Sequence, residues 1–273
     1  MKKIAKIVSI IVAVGLIVGV LFVANAFVGN PISKAIVSGN AKDYVLEKYP
    51  NTDYYVDSVG HNFKTGGYLA HIKSKSSKDT YFSVKYNSFG KVGYDNFESY
   101  VGDRFNTWRR IDGEYREKTD EVIENLDVDT DIAFGGLETS DKGNNMLDFG
   151  IDMKSLELDK DYDLGELGSK YGKITLYVYD NEVSVDKMAE VLLKVKEKFD
   201  EGNASFYAID LVLRSHRNED KKDWQDNEDI RVECFLYEDI KEDGLEEKVQ
   251  EAVDRTSEYY EEKDKEKDIE KTL

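Results

Sequence analysis

Apolar residues are arranged along the chain in three ways: one unbroken run, several alternating stretches, and several stripes at helical spacing. The run comes first. From Ile4 to Val28 the residues are almost wholly apolar, and from Ile7 onward only Ser9 and Asn25 interrupt them. About twenty such residues cross the ~30 Å hydrocarbon core as a helix rising about 1.5 Å per residue. Lys2, Lys3 and Lys6 precede or open the run, and no Lys or Arg follows until Lys34. The positive-inside rule therefore predicts a single-pass protein of the cell membrane, with a cytoplasmic N-terminus and an extracellular C-terminus. Ala24-Asn25-Ala26 also reads as a small-x-small cleavage site, so a signal peptide cut after Ala26 is the alternative. The run is longer than the usual signal core, and no cysteine stands near it to carry a lipid, so a retained anchor over residues 1–28 is expected.

Asn30-Pro31 then opens a helix, with Asn as a favoured N-cap and Pro tolerated at the first helical position. Ile32, Ala35, Ile36, Tyr44, Val45 and Tyr49 follow at roughly helical spacing, interrupted at Gly39-Asn40, and Pro50 ends the pattern. Four strand-like stretches come next, over Tyr54 to Phe63, Tyr68 to Lys75, Thr80 to Tyr86 and Lys91 to Phe97. Gly66-Gly67 between the first two is a hairpin signal, since glycine accepts the positive φ such turns require. An antiparallel meander is predicted, with the preceding helix covering one face. Val101, Phe105, Trp108, Ile111, Tyr115, Val122, Ile123 and Leu126 form one stripe, which predicts a long helix connecting to the second half.

The second half starts irregularly, with strand-like pieces near Ile132 to Leu137 and Leu147 to Met153. Lys173 to Tyr179 alternates. Ser184 caps a helix carrying Met188, Val191, Leu192, Val195 and Phe199, and Gly202 ends it. Tyr207 to Leu213 and Ile230 to Leu236 read as strands, the latter with Val232, Cys234 and Leu236 on one face, and Leu245 to Tyr260 as a helix. The fold class is α+β throughout, and the order strand-helix-strand-strand-helix predicts a ferredoxin-like βαββα domain. The last residues, 261–273, are nearly all charged and read as a solvated, disordered tail.

Charge sharpens this division. Gly29 to Leu126 holds 14 basic and 14 acidic residues, whereas Asp127 to Leu273 holds 21 and 42. The step places a boundary near Leu126, separating a membrane-proximal domain, 29–126, from an acidic distal domain, 127–260. It also argues against nucleic acid or anionic lipid as partners of the distal half, because a surface that acidic repels both. Cys234, the single cysteine, excludes an internal disulfide and reads as a buried small hydrophobe.

Gly29-Asn30-Pro31-Ile32-Ser33-Lys34 directly after a span, followed by Lys48-Tyr49-Pro50, resembles the YfjL-like proteins of Gram-positive bacteria. His61-Asn62-Phe63-Lys64, Ser77-Lys78-Asp79-Thr80 and Gly90-Lys91 fit the same pattern. The likeness covers Gly29 to about Leu126, with the distal half alike only in its order of elements. It implies a small membrane-anchored α+β protein with no assigned activity, so no catalytic residues carry over.

Candidate chemistry is sparse. Asp127, Asp129 and Asp131, with Glu138 at the twelfth position, have the ligand spacing of a calcium loop, although Ile132 stands where the sharp turn needs glycine. No cofactor is expected beyond weakly bound Ca2+ at that loop. Asp159, Asp161 and Asp163 make a second ladder, with Lys170 at its twelfth position. His61 and His71 flank the Gly66-Gly67 turn and face each other only if the loop has three residues. No phosphate-binding glycine loop, Gly-x-Ser-x-Gly elbow or His-Glu-x-x-His occurs. A non-enzymatic envelope module is therefore expected, held to the membrane by its first helix and partnered by a basic envelope protein. An extracytoplasmic hydrolase or wall-modifying enzyme is the alternative, and a divalent-cation binder a lesser one.

Overall fold

Asn30 decides where the first soluble helix begins. Its side chain accepts a hydrogen bond from Ser33 N at 2.7 Å, and Pro31 takes the first helical position. The computed structural model describes residues 2–140, 149–216 and 228–270. An apolar helix α1 (Lys2–Val28) leads into α2 (Pro31–Lys48), which runs through Gly39-Asn40 without a break. Four strands follow, β1 (Tyr55–His61), β2 (Tyr68–Lys73), β3 (Tyr81–Tyr86) and β4 (Val92–Asp95), paired antiparallel in chain order as the predicted meander. Alternation puts Tyr68, Ala70 and Ile72 of β2 and Phe82, Val84 and Tyr86 of β3 on the buried face. There they meet Val37, Ala41 and Val45 of α2.

The next helix differs from expectation. The stripe from Val101 to Leu126 is not one helix, because a π-helical turn over Glu98–Gly102 closes with Asp103 N bonding Glu98 O at 2.7 Å. Arg104 then adopts a left-handed φ of 65°, and α3 starts only at Phe105, ending at Ile123. The two ends of the stripe serve different cores. Val101 packs with the meander, while Val122 and Leu126 join the core of the second half. The chain accordingly divides into two compact units, residues 1–107 with 156–159, and 108–155 with 160–273. That division differs from the boundary expected near Leu126, since charge is a property of surface positions and the α3 stripe is buried.

In the second unit β5 (Thr130–Leu137), β6 (Gly172–Asp180), β7 (Ala208–Ser215) and β8 (Asp229–Leu236) form one sheet in that order. A short helix α4 (Leu164–Tyr171) precedes β6, α5 (Val185–Glu201) joins β6 to β7, and α6 (Leu245–Glu270) closes the unit. β6 and β7 are parallel neighbours, and the outer two pairs are antiparallel. The ferredoxin-like expectation is corrected here. Its split βαβ unit separates the parallel strands by another strand, whereas α5 connects two adjacent ones. The reason is burial: β7 is apolar on both faces, with Ala208, Ile209, Leu211, Val212 and Leu213 all buried, and takes an interior position.

Three local expectations are also revised. The expected strand over Leu147 to Met153 lies partly outside the described residues; Ile151 makes a bridge to Thr139, and Met153–Ser155 is a 3-10 turn. After Gly202 it is Asn203 that takes the left-handed backbone, at φ 50°. The expected disordered tail is helical as far as Glu270.

Candidate functional site

Cys234 marks the most irregular point of the second sheet. Ile209 pairs with Phe235 but Leu211 with Val232, so β8 carries an extra residue over that interval, and Cys234 has a φ of 51°. The bulge turns Phe235 into the core where a regular strand would have put Cys234. Cys234, expected as a buried hydrophobe, is instead half-buried on the other side. Its N–H donates to Asp210 Oδ1 at 2.8 Å. Asp210 Oδ2 lies 3.2 Å from Lys173 Nζ, which is also 3.2 Å from Glu138 Oε1. Burial works against the charge of Lys173, and the two carboxylates more than offset it, leaving its pKa raised.

Beside the bulge, β8 and α6 enclose a cleft of about 610 Å3. Glu233, Cys234 and Tyr207 line one side, with Lys248, Arg255 and Tyr259 of α6 on the other. Tyr207 packs on Phe149 with ring centroids 4.6 Å apart. Tyr260 O–H donates to Glu233, and Lys248 pairs with Asp239. The volume lies within the range of small-ligand sites. Burial, then the Asp210 charge, push the cleft's thiol, Cys234, up to about 12. What the cleft offers is aromatic surface and mixed charge.

The first unit holds a second polar cluster. Asp95 Oδ2 accepts from Tyr49 O–H at 2.6 Å, Tyr44 O–H at 2.7 Å and Lys48 Nζ at 2.8 Å, while Phe97 N–H donates to its Oδ1. Burial alone would raise this carboxyl; the bonds from Lys48, Tyr49 and Tyr44 outweigh it and hold the pKa at about 2. Burial and then Asp95 push Tyr49 upward. The cluster clamps the end of α2 to the end of β4, and its partners are mutually satisfied.

The residues singled out for metal binding are not gathered. Asp127 precedes β5 and is exposed, its carboxylate 3.4 Å from Lys194 Nζ. Asp129 lies 3.7 Å from His216 Nδ1, Asp131 accepts from Tyr179 O–H, and Glu138 pairs with Lys173. Extended backbone separates them, because Thr130–Leu137 is a strand where a calcium loop would have to turn at Ile132. Among the described residues no group of three or more His, Cys, Asp or Glu side chains is placed to share a metal ion. In the second ladder Asp159 joins a loop contact, accepting from Ser77 Oγ and Asp79 N, and Asp163 N-caps α4. His61 and His71 do not face each other. His61 pairs with Tyr68 across the hairpin, and His71 lies opposite Ser58 and Ser83, with Nδ1 2.9 Å from Ser83 Oγ.

Sequence reasoning missed Lys173, Asp210, Glu233 and the α6 side of the cleft. A signal was present for two of them. Lys173 is the one charged residue of the alternating run Lys173 to Tyr179, and Asp210 sits between Ile209 and Leu211, where a lone charge needs a partner.

Residues 4–96 match a family model described as the YfjL-like N-terminal domain, and residues 114–250 one described as the YfjL-like C-terminal domain. The likeness read from the first half alone therefore extends over the second. No curated protein matches. Among solved structures, a DUF5037 family protein from Ruminococcus gnavus aligns at 13% identity, over 74% of this chain and 93% of the other, with a TM-score of 0.21.

Proposed function

The chain belongs to the YfjL-like family, and from that premise we propose that it is a membrane-anchored, non-enzymatic binding or sensing module displayed outside the cell membrane. The apolar helix, with a span over Lys6–Asn25, supports the anchor. Lys2, Lys3 and Lys6 support a cytoplasmic N-terminus. The observation that carries the binding reading is the cleft beside Cys234. It has the size of a ligand site and aromatic walls, and its single thiol is held protonated. The acidic balance from Asp127 onward favours a partner protein with a basic patch, whose association weakens as salt screens exposed charge over ~8 Å.

Photo-crosslinking in intact cells from position Tyr259, at the cleft, tests this reading. The expected result is one captured protein, bound less well by the purified full chain at high salt than at low. Turnover of a wall polymer by the full chain would refute it. A second reading, an extracytoplasmic hydrolase, rests on the Ser83–His71 contact in a recess of about 560 Å3 on the outer face of the meander. Labelling by a fluorophosphonate probe, lost in Ser83→Ala, would install that reading instead.

A further inference from the structure

The two hairpin tips of the meander are built alike. In the first, Asn62 Oδ1 accepts from the N–H groups of Lys64 and Thr65, and Phe63 stands exposed beside the bend. In the second, Asn87 Oδ1 accepts from the N–H groups of Phe89 and Lys91, and Phe89 is 86% exposed. A meander puts both turns at the same end of the sheet. Gly67 holds them close, since a Cβ there would lie 2.4 Å from Tyr86 O. Each tip thus presents one unsheltered Phe, pinned by an Asn, with a lysine next to it.

That end of the sheet is tied to the end of α1. Only Gly29 and Asn30 separate α1 from α2. Tyr68 O–H bonds both Asn30 N (2.8 Å) and Asn30 O (3.1 Å), and His61 Nδ1 lies 3.3 Å from Phe27 O. Gly29 turns with φ +75°, and any side chain there would strike Tyr68 and His61. The Phe63 ring lies 6.1 Å from the ring of Phe27, within the last turn of α1. The other tip rests on α2, where Asn40 Nδ2 donates to Gly90 O, beside half-exposed Ile36.

Charge is sorted along the same axis. No Asp or Glu occurs in residues 28–42, 61–78 or 80–94, which take in the α1-proximal half of α2, both tips and the whole of β2 and β3. Lys34, Lys64, Lys85 and Lys91 fall at the end nearest α1, where no acid accompanies them, whereas Lys73, Lys75 and Lys78 stand at the far turn among the acids. Lys85 and Lys91 line a shallow groove of about 310 Å3 with no acidic residue in its wall. The acids of the unit, among them Asp53, Asp57, Asp79 and Asp95, stand at the start of β1, the far turn and the end of β4. A stretch with a balanced charge count is therefore basic at the end nearest the span.

We propose that the two hairpin tips dock onto the bilayer that α1 spans, with Phe63 and Phe89 entering the interfacial region and Lys64, Lys85 and Lys91 meeting anionic phospholipid headgroups. Exposed aromatic side chains with adjacent lysines at interfacial depth are the composition that binds there, through buried apolar area plus attraction to anionic lipid. The junction at Gly29 fixes the depth. Docking rests on the anchor reading above, and it makes the first unit a platform held flat on the membrane.

The test uses the full chain in a Cys234→Ser background, reconstituted into vesicles of phosphatidylcholine and phosphatidylglycerol. Nitroxide labels are placed singly through Val14→Cys, Phe63→Cys, Phe89→Cys and Leu46→Cys, the last an exposed site toward the far end of α2. The readout is the ratio of collision with oxygen to collision with a water-soluble nickel chelate. A several-fold higher ratio at positions 63 and 89 than at 46 is expected. That excess should shrink in vesicles of phosphatidylcholine alone and in a Lys64→Ala/Lys91→Ala chain. A water-exposed label at position 14 would remove the anchor reading itself. A lipid-exposed 14 with 63 and 89 equal to 46 would overturn docking alone. Immobilised labels at the tips without the oxygen gain would mean protein covers them, which also overturns it. Thermal melts matching the parent chain establish that each labelled chain is folded.

Discussion

The two four-stranded sheets reach their order by different means. In the first, each strand pairs with the next through a short turn, and Asn62, Gly67, Asn87 and Gly90 shape the two turns that set register. In the second, β5 reaches β6 only after the intervening residues 138–171, and β6 reaches β7 through α5. Register there is set by which side chains the core accepts; both sheets carry irregularities, at Val56/Ser58 and Lys85/Tyr86 in the first and at Thr130/Ile132 and Ile209/Leu211 in the second. Local chemistry orders one sheet and shared burial orders the other.

The largest test of that contrast is Phe199→Ala. Phe199 is 1% exposed in the core of the second unit, and such a truncation costs about 3–5 kcal/mol. Hydrogen exchange should accelerate across β6, β7 and α5 while the meander keeps its protection. Loss of protection in both sheets together would show that the units do not unfold separately.

Next comes Asp95→Ala, which removes three side-chain bonds and the Phe97 contact and should cost about 3 kcal/mol in the first unit. The pH dependence has a definite sign. A carboxyl depressed from about 3.9 unfolded to about 2 folded binds fewer protons when native, so its contribution is full above pH ~4. It is lost as pH falls from ~4 through 2. Denaturant titrations at neutral and acid pH should show the parent chain losing this increment and Asp95→Asn lacking it.

A smaller effect separates pattern from structure directly. The alternation over Ile230 to Leu236 recommends an apolar β-branched residue at Cys234, yet its φ of 51° penalises one. Cys234→Val should therefore destabilise the second unit by about 1–2 kcal/mol. A neutral Val would mean the bulge can slip. The smallest pair is Asn30→Ala and Ser184→Ala, each removing one N-cap bond, to Ser33 N and Lys187 N, at about 1 kcal/mol. Equal losses by melting would show that capping is indifferent to which kind of sheet the helix covers.

These substitutions also mark what was legible beforehand. The meander, both capped helices and the alternation of β6 follow from turn residues, caps and period-two burial, all of them local. The candidate cleft was not legible, because it depends on a bulge that exchanges Cys234 for Phe235 and on α6 being laid beside β8. The metal candidates lie apart for a related reason. Spacing in sequence equals spacing in space only in a known backbone conformation, and β5 is extended where a calcium loop must curl.

By itself the sequence determined the apolar span, the α+β class, the order of elements and the strand pairs joined by tight turns. Each depends on interactions between residues a few positions apart, which amino-acid type and periodicity record. Tertiary structure alone decided that one apolar stripe serves two cores through the break at Arg104, and that β6 and β7 lie side by side. It also decided that the acidic residues of a charge-balanced stretch are kept away from the end of the first sheet nearest the span. These are outcomes of competition for burial among distant segments, and no window of sequence contains both competitors.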